Sequence, residues 1–395
     1  MRILCVTGYY KPAYVYGGPV KSVAAICEGL AQAGNQVTVL TTNANGHGKT
    51  LSVTIGQAVD VNGVEVNYYP QSQPAARLFP FYSTWLGRAC AARLSEFDVM
   101  YLPATWTYAM YVGASHARNM RVPYVVSPRG SFMTWSMQQK MLKKRLYLAL
   151  IERRLIDSAA AIHCTSWLES EQTSHWNFKP KVVIIPNGID LEPFQCLPQS
   201  GGLRRQLGIP SGATVSLYVG RLHKEKRISL MIDSFAKIAR QLADAHLVII
   251  GPEGDGTGAH ARKYVATLGL TQRIHFLGLL AGQALLQAYD DADLLVLLSH
   301  RENFGMVAVE AMAAGLPVLV AKEVGLAEEI ARAGAGYSVV AEIDRIAETW
   351  VQMLQAPDLR RDIGQKGREL VHEKFESSRV ASQMLNLFAN IVNGS

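Results

Sequence analysis

A chain of 395 residues with 49% hydrophobic content is too long for one ordinary core and too apolar for disorder, so two domains are expected. Five scattered cysteines (Cys5, Cys27, Cys90, Cys164, Cys196) without a C-x-x-C pair argue against a zinc knuckle or disulfide frame and fit free thiols in a reducing compartment. The net charge of +7 is uneven, with +8 on residues 1–190 and −1 on residues 191–395, which points the first half at phosphates or an anionic membrane; no stacked-aromatic module suggests nucleic acid.

Residues 2–7 read as a buried strand, with no basic-then-apolar leader before them. No apolar run reaches about 18 residues, so neither a signal peptide nor a membrane span is expected. A turn-rich loop ending in Gly17-Gly18 leads into helical spacing over 20–33, and 36–40 is the second strand. This is a βαβ unit of a doubly wound sheet. Its glycines do not make G-x-G-x-x-G, and no acidic ribose ligand follows the second strand, so dinucleotide binding is weakly supported. Residues 53–69 predict two strands around the hairpin signal Asn62-Gly63. A helix over 78–94, a strand over 99–102, a helix over 108–119 and a strand over 124–127 follow. Pro128-Arg129-Gly130 closes that strand at the end where open α/β sheets place ligands.

Residues 135–158 carry Lys140, Lys143, Lys144, Arg145, Arg153 and Arg154 among apolar residues, against Glu152 and Asp157. Two readings stay open: a long helix with one solvated face, or a basic amphipathic helix resting on an anionic membrane. Strand, helix and strand follow at 161–164, 166–174 and 182–185. Pro186-Asn187-Gly188-Ile189-Asp190 and a loose stretch to Gly202 then suggest a domain boundary.

The second half repeats the grammar. Strands are expected at 215–219, 245–250, 274–277, 294–298 and 318–321, with helices at 228–242, 260–268, 283–289, 306–314, 326–333, 341–355, 357–375 and 384–392. The loop 220–226 (GRLHKEK) places Arg221 and Lys226 at a strand's carboxyl end, a planar fork and a point charge suited to a diphosphate. In 299–317 (SHRENFGMVAVEAMAAGLP), Glu302 lies in the strand-to-helix turn and Glu310 two turns into an apolar helix. A carboxylate there is costly unless paired or ligand-bound. Glu310 suits the vicinal hydroxyls of a ribose and Glu302 those of a sugar, while the N–H groups from Asn303 to Met306 suit an anion. Together these groups fit a nucleotide diphosphate sugar. Asp291-Ala292-Asp293 has metal-ligand spacing but precedes a buried strand and reads as helix-end structure. No metal or other cofactor is expected, because the two cations and the helix dipole can neutralise a diphosphate.

The series Gly17-Gly18-Pro19, Pro186-Asn187-Gly188-Ile189-Asp190, Gly220-Arg221-Leu222 with Lys226, Glu302-Asn303-Phe304-Gly305 and Glu310-Ala311-Met312 resembles the retaining glycosyltransferases of family 4. The resemblance, centred on an E-x7-E unit, covers essentially the whole chain. It implies a GT-B fold: two tandem doubly wound Rossmann-like α/β domains facing a central cleft. Residues 1–190 would bind the acceptor, joined by a final helix crossing back (376–395), and residues 191–375 would bind the donor. Arg221 and Lys226 would hold the leaving diphosphate, Glu310 the ribose and Glu302 the donor sugar. Asn303, Phe304 and Gly305 would border sugar and phosphates, Gly17 and Gly18 would close over the diphosphate, and Gly278 and Leu279 would lie near the base. The family's mechanism is front-face substitution with retention and without a metal. Many members carry a His where this chain has Pro128-Arg129-Gly130, which makes Arg129 a candidate for phosphate or acceptor contact; His116 and His163 read as structural.

The expectation is therefore a hexosyltransferase using a nucleotide diphosphate sugar and a glycan acceptor, lipid-linked, in bacterial polysaccharide assembly. It would be cytoplasmic, peripheral at the inner face of the plasma membrane. A same-fold nucleotide-sugar epimerase and a catalytically silent sugar-nucleotide-binding or membrane scaffold are the alternatives.

Overall fold

The computed structural model describes every residue except His47, Pro74, Lys140, Ser200 and Ser395, with Leu78 described by its backbone alone. The chain divides into two compact units, Met1–Ile189 with Glu376–Ser395, and Asp190–Phe375.

The first unit is built on eight strands: β1 (Arg2–Val6), β2 (Gln36–Thr42), β3 (Ala58–Val61), β4 (Val64–Tyr69), β5 (Val99–Pro103), β6 (Tyr124–Ser127), β7 (Ala161–Cys164) and β8 (Val182–Ile184). They lie in the order β3-β4-β2-β1-β5-β6-β7-β8, parallel except for the antiparallel β3–β4 pair. The Asn62-Gly63 turn makes that pair, both residues having positive φ (55° and 81°), as a tight hairpin requires. Central strands such as β1 and β5 are apolar on both faces because helices cover both. One face packs on the helix Gly18–Gln32 and the last helix, Ser377–Asn393, which supplies Val380, Met384 and Phe388 to the core. Gly29 permits the approach of those two helices, since a Cβ there would stand 2.8 Å from that of Ala381. The other face packs on the helices Thr84–Arg93 and Tyr108–Met120.

The second unit has six strands: β9 (Thr214–Val219), β10 (Ala245–Ile250), β11 (Ile274–Leu277), β12 (Leu294–Leu297), β13 (Val318–Ala321) and β14 (Gly336–Val339). All are parallel, in the order β11-β10-β9-β12-β13-β14. Trp350 is fully buried, and its Nε1–H donates to Ser216 Oγ at 2.7 Å, fixing a covering helix to the central strand.

Several expected elements differ. The helix expected at 78–94 is two pieces, Ala75–Leu78 and Thr84–Arg93, because Phe81 adopts φ +62° and Ser83 caps the second piece through the Leu86 N–H. The helix expected over 135–158 breaks at Gln139, which is extended. It resumes as Met141–Tyr147, a π-helical turn Leu148–Glu152 and Arg153–Ile156. Strand β14 was missed, and the last helix begins at Ser377, where the crossing helix 376–395 was expected and seven residues before the start expected from helical spacing at 384. Among the described residues, no helix is long and apolar enough to cross a membrane.

Candidate active site

In the second unit β11, β10, β9 and β12 are neighbours, so the loops leaving their carboxyl ends stand side by side. Glycine makes the β9 and β10 loops cross. Gly220 and Gly251 have φ of +157° and +152°, and a Cβ on Gly251 would overlap the Gly220 carbonyl. The loops are then zipped together: Leu222 N–H donates to the Pro252 carbonyl at 2.9 Å and Gly254 N–H to the Leu222 carbonyl at 3.0 Å.

Arg221 is exposed on this support, and its side chain makes no hydrogen bond or ion pair among the described residues. The Tyr218 hydroxyl donates to its carbonyl at 3.1 Å. Burial, then the charge of Glu302, raises the Tyr218 phenol above its ordinary range, so it remains a donor. His223 Nδ1 accepts from the Glu225 N–H at 3.3 Å and caps the short turn Lys224–Lys226. Lys226 Nζ meets Glu302 Oε2 at 2.5 Å, and Arg301 meets Glu225 at 2.8 Å. Two ion pairs of crossed polarity thus clamp the β9 loop to the β12 loop, and all four side chains are half-buried.

Gly305, at φ +104°, starts the helix Met306–Ala313 with no side-chain cap, so its first N–H groups are not taken by a capping side chain. Phe304 is buried edge-on against Phe375 at 5.7 Å and holds the turn in place. The Glu302 carbonyl accepts from Gly325 N–H at 2.9 Å. Farther along the helix, half-buried Glu310 accepts from the Tyr289 hydroxyl at 2.7 Å. Burial and then Glu310 raise the Tyr289 phenol well above its ordinary range, which keeps it protonated and donating. Gly278 and Leu279 are exposed after β11, and Leu279 is 73% exposed. The Asp291-Ala292-Asp293 segment is structural. Asp291 accepts from Leu203 N–H at 2.6 Å, and Asp293 pairs with Arg204 at 2.8 Å and Arg360 at 3.2 Å.

In the first unit Gly17 (φ +77°) and Gly18 are exposed at the uncapped start of their helix, with open space where a Cβ would stand. Arg129, at φ +53°, turns inward: its guanidinium donates to Tyr101 Oη at 2.7 Å, Asn187 Oδ1 at 2.5 Å and Ser22 Oγ at 3.1 Å. The relay continues through Tyr101 to His163 Nδ1 (3.1 Å) and from His163 Nε2 to the Ile185 carbonyl (2.7 Å). Burial, then Arg129, lowers the His163 pKa to about 3, so it is a neutral structural histidine. Of the basic cluster, Lys143 and Arg145 are exposed. Lys144 departs from the expected outward face, donating to the Ser136 carbonyl at 2.6 Å and lying 5.8 Å from the Trp106 ring centre. Lys140 lies outside the described residues.

Reading the sequence missed Glu225 and Arg301, although a lone acid in a KEK run was a signal. It missed Tyr289 as the partner of Glu310. It also missed buried Glu169, which accepts from the Gly130 N–H and, at 2.7 Å, the Thr165 N–H, and so holds the Arg129 turn.

Two cations and two carboxylates on adjoining strand-end loops, in a chain of two doubly wound units, define a GT-B glycosyltransferase. Residues 17–188 match the family described as Glycosyl transferase 4-like domain, and residues 201–370 match Glycosyl transferases group 1. The chain belongs to the family 4 glycosyltransferases. It is 28% identical to an uncharacterized glycosyltransferase of Methanocaldococcus jannaschii, over 98% of both chains. It is 33% identical to the lipopolysaccharide 1,2-N-acetylglucosaminetransferase of Salmonella typhimurium, over 52% of this chain and 57% of that one. Among solved structures, HepE of Anabaena in complex with UDP and glucose superposes with a TM-score of 0.75 at 22% identity, over 98% of this chain and 99% of that chain. Sucrose-phosphate synthase of Thermosynechococcus elongatus gives 0.75 at 20% identity over the whole of both.

Proposed function

We propose that this protein is a retaining hexosyltransferase. It moves a hexose from a nucleotide diphosphate sugar to a glycan acceptor carried on a lipid, in the cytoplasm, during assembly of a bacterial polysaccharide. The observation that carries this reading is the Lys226–Glu302 pair at 2.5 Å beside exposed Arg221 and the uncapped helix at Gly305. A diphosphate that takes Lys226 frees Glu302 to accept from the hydroxyls of the attached sugar. Arg221 adds a forked donor to the same phosphates. The N–H groups at the helix start add a fixed partial charge, so the leaving diphosphate is neutralised without calling on a metal. Glu310, held by Tyr289, accepts from the ribose hydroxyls. The acceptor hydroxyl attacks the anomeric carbon from the face the diphosphate leaves. The C–O bond to phosphate breaks, the new glycosidic bond forms, and the hydroxyl proton passes to a leaving phosphate oxygen. The UDP and glucose named with the Anabaena relative support a donor of this class.

The test is a thermal-shift screen over nucleotide sugars, followed by transfer assays with the donor that binds. One donor is expected to raise the melting temperature, and Arg221→Ala with Lys226→Ala to abolish that shift. NMR of the product should show the donor's anomeric configuration kept. The reading fails if no donor shifts the melt and no acceptor extract receives sugar. Product formed from donor without acceptor would instead establish the epimerase.

A further inference from the structure

The helical segment from Met141 to Ile156 has two unlike sides. Leu148, Leu155 and Ile156 are buried in the first unit's core. Glu152 is buried with them, its Oε1 accepting from the Trp106 N–H at 2.7 Å. On the outside stand Leu142, Leu146 and Leu150, exposed by 81%, 61% and 72%, with Met141 and Ile151 also exposed beside them. In a helix of about 3.6 residues per turn, side chains four apart drift around the axis, and the wider π turn Leu148–Glu152 works against that drift. Single exposed leucines are ordinary, but a stripe of three on one short segment is not.

Charge says what covers the stripe. Lys143, Arg145 and Arg154 are exposed on the same segment, and its one acid, Glu152, is buried. Aromatic rings continue the surface: Tyr147 contacts Phe79 at 6.0 Å, and Phe79 contacts half-exposed Tyr111 at 5.9 Å. Leucines flanked by cations, with aromatic rings alongside, match the water–lipid boundary in both polarity and sign. We infer that this face of the first unit docks on an anionic bilayer, the leucines entering the acyl boundary and the three cations meeting lipid phosphates. The inference names the partner surface for a lipid-linked acceptor but stands on this helix alone, and its test uses no sugar.

The experiment is co-sedimentation of the full chain with vesicles of phosphatidylcholine, with and without phosphatidylglycerol. Wild type is expected to bind the phosphatidylglycerol vesicles, more weakly as salt rises. The triple variant Leu142→Ser, Leu146→Ser, Leu150→Ser should bind at least about tenfold more weakly. It should melt like wild type, since the side chains changed are exposed. Lys143→Glu with Arg145→Glu should abolish preference for the anionic vesicles while leaving the leucines in place. Binding unchanged in both variants, or no vesicle binding by wild type, would overturn the inference. So would wild-type self-association that the leucine variant abolishes without any vesicle binding, since the stripe would then face a second copy of the chain.

Discussion

The strand-end loops of the two units are made of different materials. In the second unit the left-handed positions that shape the β9, β10 and β12 loops fall mostly on glycine, at Gly220, Gly251 and Gly305, and charged pairs clamp the loops. In the first, glycine holds such positions at Gly17 and Gly130, but left-handed φ also falls on Phe81, Trp106 and Arg129, and Ala104 sits at φ +142°. Such residues cost on the order of 1–3 kcal/mol each unless their surroundings hold them. Rings and buried hydrogen bonds do so here: Phe81 packs on Tyr9 and Tyr16, and Trp106 on Phe132 and Tyr147. A loop of glycines and ion pairs presents backbone N–H groups and charge, which suits one fixed anionic ligand. A loop of wedged aromatic rings presents shape, which under the proposed function would be the part that varies with the acceptor while the sheet stays the same.

The largest effect should come from the glycine crossing. Gly251→Ala drives a Cβ into the Gly220 carbonyl at a φ that L-residues avoid. We expect a loss of at least about 3 kcal/mol in the second unit's stability by chemical denaturation. Gly17→Ala, with open space around it, should cost only about 1 kcal/mol, for its φ. Equal losses would show that crossing packing is not what selects glycine in the second unit.

Cations separate the units next. Lys226→Met should lower kcat/KM for transfer by about 10²–10³-fold with little change in melting temperature. Arg129→Met should do the reverse, since it strands Asn187 and the Tyr101–His163 relay inside the first unit. A stable but inactive Arg129→Met protein would return Arg129 to the phosphate or acceptor role and erase the contrast.

The third effect is one of pH and belongs to the first unit. Burial raises the Glu152 pKa from 4.5 to about 8, and burial lowers that of His163 from 6.5 to about 3. A raised carboxyl loses stability as pH climbs from its unfolded to its folded value, so Glu152 acts between about 4.5 and 8. A depressed histidine loses stability as pH falls, so His163 acts between about 6.5 and 3. Between 4.5 and 6.5 the two slopes oppose one another and cancel. Above 6.5 Glu152 alone remains and takes away about 2 kcal/mol by pH 8. Denaturation of wild type and Glu152→Gln across this range tests the assignment. The variant should lose the alkaline decline and show stability rising from pH 4.5 to 6.5. A decline that persists in Glu152→Gln would assign it to another group.

What could be read from the sequence follows the range of the interactions concerned. Strands β9, β10 and β12 were legible because helices on both faces demand predominantly apolar runs, unbroken in β12 and interrupted only by Ser216 and His246 within β9 and β10. The Asn62-Gly63 hairpin was legible because its turn chemistry is local. Lys226, Glu302, Gly305 and Glu310 stood out because a carboxylate in an apolar helix and a glycine before it are unusual over a short window. Glu152 was not legible: in the sequence it sits among Lys and Arg like any surface acid, and only the π turn carries it inside. The Glu225–Arg301 pair spans 76 residues and exists only once β9 and β12 are neighbours. Strand β14 was hidden because this edge strand, with three of its four residues only partly buried and with Gly336, Tyr337 and Ser338 in it, lacks the hydrophobicity of its neighbour β13, which has the same length.

The smallest expected effect is the most selective. Tyr289 is buried in the second unit, and among the described residues its hydroxyl reaches only one group, Glu310 Oε2. Tyr289→Phe keeps the ring and removes that donor. Glu310 is half-buried, so water can replace the lost bond, and stability should fall by no more than about 1 kcal/mol. The carboxylate, no longer held in one rotamer, would offer its oxygens to the ribose less often. That loss applies equally to the bound ground state and the transition state, so KM for the donor should rise several-fold while kcat holds. A fall in kcat at unchanged KM would mean that Glu310 acts in the chemical step and not in holding the nucleoside. A 2′-deoxyribose donor sharpens the test. It removes one hydroxyl from the opposite side of the same contact, so its penalty should shrink in Tyr289→Phe. Penalties that simply add would place the ribose elsewhere and leave Glu310 as a satisfied core acid.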